Sequence, residues 1–249
     1  MPMLLSEIIP ARNLNLLYII LDSVFLLFFL VLLLVKKKYL TVFIALFGGI
    51  LYFLVDYLYF YHITGSRTLS INGESASELQ MVFYLLWHEL SSGFTNFALI
   101  WLCLNKGKDT KYYLFLVVLW WLICPAIASL GGEATISCAR TTDSYHANMA
   151  IILFVGYAAL IVYNLLVKDE KKRINIFYLF AVGFLIQFAW EGAFLLYGIR
   201  PWNDSSLQTL LIDSLIETNL GMPIFYFLHK GITHFWNEDL SKPEKEAEA

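Results

Sequence analysis

Long apolar blocks alternate with short polar connections along the chain, at about residues 14–35, 39–62, 80–104, 113–131, 147–167, 175–198 and 207–229. Each block is close to or above the roughly 20 residues that a helix rising 1.5 Å per residue needs to cross a hydrocarbon core. The pattern predicts an all-α fold, a polytopic membrane helix bundle of about seven transmembrane helices. Little chain is left between the blocks, so residues 1–235 read as a single transmembrane bundle. Residues 236–249 contain the polar stretch EDLSKPEKEAEA and read as a flexible cytoplasmic tail.

The polar connections carry a direction. Lys36-Lys37-Lys38 follow the first block, NKGKDTK follows the third and KDEKKR the fifth. Of 17 Lys and Arg, ten lie in these connections, three follow the seventh block, and Arg12, Arg67, Arg140 and Arg200 are left for the other side. Because basic loops stay cytoplasmic, the N-terminus is expected outside, and an odd number of helices brings the C-terminus into the cytoplasm.

Composition agrees and narrows the function. With 59% hydrophobic residues, 15% charged and a mean hydropathy of +0.66, lipid has to be part of the solvent. The net charge of -3 gives no basic surface for nucleic acid. Cys103, Cys124 and Cys138 show neither CxxC nor Cys/His ligand spacing, so neither a metal site nor a disulfide scaffold is expected, and no cofactor signature appears. The first apolar run is too long for a signal-peptide core and lacks a basic region before it, so no cleavage is expected. The partners implied are membrane lipid and a lipid-like or small-molecule substrate; the sequence does not specify an oligomeric state.

Against this apolar background stand six carboxylates within the blocks: Asp22, Asp56, Glu89, Glu191, Asp213 and Glu217. An ionisable group at the bilayer centre costs about 2.5–3.5 kcal/mol, so such groups face a protein interior or water and often serve function. Counted from the outer end of each block, all six lie about 6–10 residues in, roughly 9–15 Å deep at the helical rise. One polar level in the outer half, closed below by apolar helix halves, is the simplest arrangement that accommodates them. Bonding to Arg, Trp or Tyr in a purely structural role is the alternative for each.

Helical spacing suggests neighbours: Asp213 with Glu217, Gln187 with Glu191, and Glu89 with Gly93 and Asn96. Two carboxylates as close as Asp213 and Glu217 cannot both ionise cheaply, so one is expected to hold a proton. His88 and Trp190 sit next to acids; Arg67 and Arg200 could form, with Arg12 and Arg140, a basic rim that neutralises the acids or grips an anion. Asn219 precedes Gly221 and Pro223, where a kink is expected.

Two families are resembled. DYLYFY and WHELSSGFTNF in the second and third blocks, with WEGAFLLYGIRP and IETNLGMP in the sixth and seventh, place Asp56 against Glu191 and Glu89 against Glu217. This resembles the three-plus-one-plus-three plan of transporters built from two parallel triple-helix bundles. The placement of Asp56 among aromatics late in the second block, and of Asp213 or Glu217 before IFYFLHK, resembles the membrane-integral seven-helix terpene cyclases of meroterpenoid and indole-diterpene pathways. That resemblance implies an acid that protonates an epoxide or alkene and a second acid that shapes or quenches the cation. The family's Trp-Glu pair in the second helix falls here at Trp190-Glu191, in the sixth.

The reading that follows is a multi-pass membrane enzyme performing acid-base chemistry on a lipid-like, perhaps terpenoid, substrate. Glu217 or Asp213 donates the proton, Asp56 and Glu89 orient or stabilise, and Glu191 forms a wall. The rivals are a proton-coupled transporter of a small polar solute and a receptor or structural protein whose acids only hold helices together.

Overall fold

The computed structural model describes residues 11–140 and 145–242. Every apolar block lies on a helix. α1 (Leu16–Val35) begins where the Asn15 side chain accepts the Tyr18 amide at 2.9 Å, and ends where Lys37 takes a φ of 54°. It buries Tyr18, Asp22, Phe25, Phe29 and Leu33, a stripe at three- and four-residue spacing, and exposes Leu16, Ile20, Val24, Leu27 and Val31. α2 (Tyr39–Leu54) runs on into a π-helical segment, Val55–Ile63. α3 (Glu78–Glu89) is opened by a capping box between Ser77 and Gln80, and continues through a second π-helical segment, Leu90–Phe94, into α4 (Thr95–Asn105). α5 (Thr110–Ala128), α6 (Tyr145–Leu166), α7 (Ile176–Leu196) and α8 (Ser206–Phe235) follow.

Five helical stretches are long and apolar enough to cross a membrane: Leu16–Val35, Tyr39–Ile63, Thr110–Gly131, Asn148–Leu166 and Ile176–Leu196. α3–α4 and α8 are less apolar because they carry His88 and Glu89, and Asp213 and Glu217. The core is built from Phe29, Leu33, Leu85, Leu99, Val117 and Leu179, all with almost no exposed surface. The second π segment meets α2 at glycine: a methyl group on Gly93 would lie 2.7 Å from the Gly49 Cα, so only hydrogen fits there.

The expectation of an all-helical chain misses one element. Short strands from the segment before α1 and from two connections at one end of the bundle form an antiparallel sheet in the order β1 (Ala11–Leu14), β4 (Ile136–Arg140), β2 (Arg67–Ile71), β3 (Glu74–Ser75). β2 and β3 are joined by Asn72 and Gly73, both at positive φ (54° and 82°), the pairing a two-residue hairpin favours. In the register of β2 on β4, Arg67 stands directly opposite Arg140.

The bundle therefore has a sheet end and a lysine-rich end. At the latter, the segment after α8, expected to be a loose tail from residue 236, is docked: Glu238 accepts hydrogen bonds from Thr41 Oγ1 at 2.7 Å, Trp101 Nε1 at 2.8 Å and Asn105 Nδ2. Residues 243–249 of that tail lie outside the described residues. α8 continues as helix through Pro223, whose ring packs where a methyl on Gly156 of α6 would stand 3.0 Å from it; the helical irregularities fall on the π segments of α2 and α3–α4 instead.

Candidate functional site

The sheet sets three arginines over the acids of the bundle. From β1, Arg12 donates from Nη2 to Glu191 Oε1 at 2.7 Å, meets His88 Nε2 through Nη1, and lies 4.7 Å over the Trp190 ring. From β2, Arg67 pairs with Asp56 and, at 3.3 Å, with Glu89 Oε1. From β4, Arg140 donates to Glu217 Oε1 at 2.5 Å, approaches Asp56 Oδ1 at 3.5 Å and covers the Phe60 ring at 4.9 Å. Two arginines directly across a strand pair repel; Asp56, reaching both Arg67 and Arg140, resolves that repulsion. Arg200, past α7, pairs with Glu191 Oε2 and Asp213 Oδ2, each at 3.0 Å.

The expected rim of arginines is thus turned inward, and it meets five of the six acids of the apolar blocks. Glu191 has no exposed surface and receives one arginine on each oxygen. Burial works against the Arg12 charge, and Glu191, Tyr84 and Glu217 together outweigh it, so that guanidinium is held above its ordinary range. Burial lowers Arg67 from its ordinary value, with Cys138 and Glu89 acting in the opposite direction. Asp22 stands apart, accepting from Trp120 Nε1 at 3.4 Å. Asp213 and Glu217, one turn apart, each have an arginine of their own, so their mutual repulsion is offset by Arg200 and Arg140.

His88 bridges two charges, and its partners fix its tautomer. Nε2 faces a guanidinium N–H, which can only donate, so this nitrogen accepts. Nδ1 then carries the proton and donates to Glu89 Oε1 at 2.7 Å. The imidazole is neutral, and the cluster holds five carboxylates (Asp56, Glu89, Glu191, Asp213, Glu217) against four guanidiniums. One proton or one cation more is needed for balance.

Inside this frame is a cavity of about 280 Å³. Asp56, Glu89 and Glu217 line it with Arg12, Arg67, Arg140, His88, Asn96, Gln187 and Trp190; the apolar wall is Leu51, Tyr52, Val55, Phe60, Met149 and Leu220. Gln187 donates to Glu217 Oε2 at 3.1 Å and accepts from Thr218 Oγ1 at 2.8 Å, which fixes the Glu217 carboxylate on both sides. Some polar atoms remain buried without a partner: Trp190 Nε1, Asn96 Oδ1 and the Nε of each lining arginine.

Of the residues singled out from sequence, eight line the cavity: Asp56, Glu89, Glu217, His88, Asn96, Gln187, Trp190 and Arg67. Four do not. Glu191, Asp213 and Arg200 form the ion-pair row behind it. Asn219 is a clamp, bonded to Tyr157 at 2.9 Å and, with its amide turned, to Phe180 O at 3.1 Å and Phe184 N at 3.2 Å on α7. Arg12 and Arg140, assigned in sequence only to a rim, are central. The short stretches ARNL, RTLSI-NG-ES and ISCAR, with Asn-Gly between two of the strands, were the available signal for the sheet that carries them.

No family model matches the chain, no curated protein shows detectable similarity to it, and no solved structure matches it, so what the site does is read from its own geometry.

Proposed function

We propose that the chain is a seven-span membrane protein, sheet end outside and lysine-rich end in the cytoplasm, that performs acid-base chemistry on a lipid-like substrate in this cavity. The observation that carries the reading is the wall itself: three carboxylates held in place by arginines face an apolar and aromatic surface of Leu51, Tyr52, Val55, Phe60 and Trp190. Glu217 is the proton donor. It is the least buried acid of the cluster, with its side chain 20% exposed, and Arg140 and Gln187 fix its two oxygens. Asp56 and Glu89 face the same space, where they can stabilise positive charge developing on a substrate beside the aromatic faces of Tyr52, Phe60 and Trp190. Glu191 and Asp213 act at one remove, by positioning Arg12 and Arg200. Cyclisation of a terpenoid, as the sequence resemblance implies, is one reaction such a site suits.

A second reading, a proton-coupled transporter of a small polar solute, is favoured by one observation: the cluster has one carboxylate more than it has guanidiniums, so one proton can come and go. It requires the contacts around Glu238 to open. Comparison of lipid extracts and polar metabolites from cells making the wild type, Glu217→Gln or neither separates the two. A new lipid-soluble species that vanishes in the variant supports the enzyme. A changed level of an existing polar solute with no new species overturns it in favour of the transporter.

A further inference from the structure

The cavity has three possible directions of approach, and two are blocked. Toward the sheet end it is roofed by Arg12, Arg67 and Arg140, each descending from a different strand and each held by a carboxylate. Toward the lysine-rich end, the helix that contributes Asn96 continues into Leu99, Ile100 and Trp101, all buried. The side is different. Leu51 and Val55 line the cavity and keep 40% and 43% of their surface exposed, so the lining is open at these two side chains. Met149 of α6 lines the same cavity, and among the described residues α6 packs chiefly on α8 rather than on α2.

The polar lining limits what can occupy the space. Its three carboxylates are already paired with Arg67 and Arg140, its third guanidinium, Arg12, with Glu191 of the row behind, and that row holds one more acid than base. Once the one unbalanced carboxylate carries the proton that Glu217 is proposed to donate, the cluster is neutral, and a charged head of either sign would have to displace one of these partners and leave it buried alone. The unsatisfied groups of the lining are mostly donors, the indole N–H of Trp190 and the Nε–H of the arginines; against them stand Asn96 Oδ1, whose amide can turn, and Asp56 Oδ2, which faces Arg67 as an ion pair. A ligand that relieves them brings an oxygen that accepts hydrogen bonds and no charge.

Resting on the reading of this cavity as a substrate site, we infer that the substrate is an uncharged lipid with a hydrogen-bond-accepting oxygen, and that it reaches the site sideways from the membrane between Leu51 and Val55 of the α2 helix and Met149 of α6. Its oxygen faces Trp190 and the arginines. Its chain lies in the gap.

The test is photolabelling of the intact protein in lipid nanodiscs with a diazirine-bearing alkyl ketone, mapped by mass spectrometry and competed with 2-dodecanone, dodecyl phosphate, dodecylamine or 2-butanone. Labels are expected at the Leu51–Val55 face and around Met149. 2-Dodecanone should compete at concentrations about tenfold or more below those of the phosphate and the amine, given the cost of burying an unpaired charge. 2-Butanone, which lacks the chain, should be ineffective. Val55→Trp or Leu51→Trp, each at an exposed position, should cut the competable label about fivefold by filling the gap, with melting temperature retained. Trp190→Phe should weaken 2-dodecanone about twofold to tenfold through the lost donor. Equal competition by the phosphate or amine overturns the uncharged head. Competition by 2-butanone, or unchanged labelling in both plugged variants, overturns the lateral route. Labelling requires no turnover, so a competable label together with lipid products indifferent to Glu217→Gln would sink the acid-base reading and leave this inference standing.

Discussion

The two ends of the bundle each gather polar side chains around carboxylates, one at the lysine-rich end and several at the sheet end, and they are built in opposite ways. At the lysine-rich end, Glu238 accepts from three neutral donors, Thr41, Trp101 and Asn105, while Asn105 Oδ1 in turn receives His229 Nε2 at 2.7 Å and the Leu40 amide donates to the Glu238 carbonyl at 3.0 Å. None of these side chains has a buried nitrogen or oxygen without a partner among the described residues. At the sheet end, charges meet charges, a cavity opens among them, and Trp190, Asn96 and the arginines keep unpartnered atoms. An unpaired buried polar group costs about 1–3 kcal/mol, so a fold keeps several together only where something else satisfies them. The complete cluster is a fastening, and the incomplete one is a site.

The sharpest division between them is in chemistry. Glu217→Gln keeps the shape of the side chain and removes its proton-donating acid, so product formation should fall by about 10²–10⁴, the usual contribution of a general acid, as measured by mass spectrometry of lipid extracts. Its melting temperature should fall much less than in a variant of the fully buried Glu191, since the one amide oxygen can still accept from Arg140, Arg140 also keeps Asp56, and at this partly exposed position only Gln187 loses its acceptor. Activity and stability falling together would erase the distinction between the two ends.

Behind the cavity the expected effect is on stability. Glu191→Gln leaves Arg12 and Arg200 facing a neutral amide in a site without exposure, and breaking such a buried pair costs about 3–5 kcal/mol. Unfolding in mild detergent, followed by circular dichroism, measures it. A loss below about 1 kcal/mol would show that the ion-pair row is not what holds the sheet on the bundle.

This contrast was half legible in the sequence. The helices were, because apolar blocks such as LLYIILDSVFLLFFLVLLLV leave no other reading, and so was the gathering of acids toward one end of them, where five of the six meet arginines. What a count cannot give is rotation. Glu191 and Asp213 lie at the same end as Glu217 and face an ion-pair row instead of the cavity, because Arg200 loops back to them after Gly198 at a φ of 70°. The sheet was hidden for a different reason: four strands of two to five residues leave little periodicity, and their pairing is between connections remote in sequence, so Arg12, Arg67 and Arg140 looked like separate interface arginines. The two π segments, which bear Asp56 and Ser92, leave no mark in composition at all.

At the other end the expected losses are smaller and leave chemistry alone. Glu238→Ala removes one acceptor from three donors; hydrogen bonds to a charged group contribute about 1.5–3 kcal/mol each but not additively, and Glu238 is only partly buried, so a net loss of about 2–3 kcal/mol is expected with product yield per folded protein unchanged. A drop in yield at constant folded fraction would mean that the fastening is a gate, which is what the transporter reading requires.

The smallest expected effect lies in the strap that carries Glu238. Asp239 accepts from Ser241 Oγ at 2.5 Å and from the Ser241 amide at 3.1 Å, and these hydrogen bonds hold its carboxyl below the ordinary range. A folded-state value depressed in this way means that the turn gains its stability above the ordinary aspartate range and loses it as pH falls through the depressed value. Acidification should therefore lower the protection of the Asn237–Ser241 amides, read by hydrogen-deuterium exchange corrected for the intrinsic rate at each pH, before it affects the helices. In Asp239→Asn the same segment should exchange faster at neutral pH and lose that acid step. Because Asp239 is exposed and Glu238 is fastened separately, the Thr41–Trp101–Asn105 contacts should persist in the variant. If the strap instead detaches as a whole, the satisfied cluster is no more rigid than the unsatisfied one, and burial of partners is not what separates the two ends.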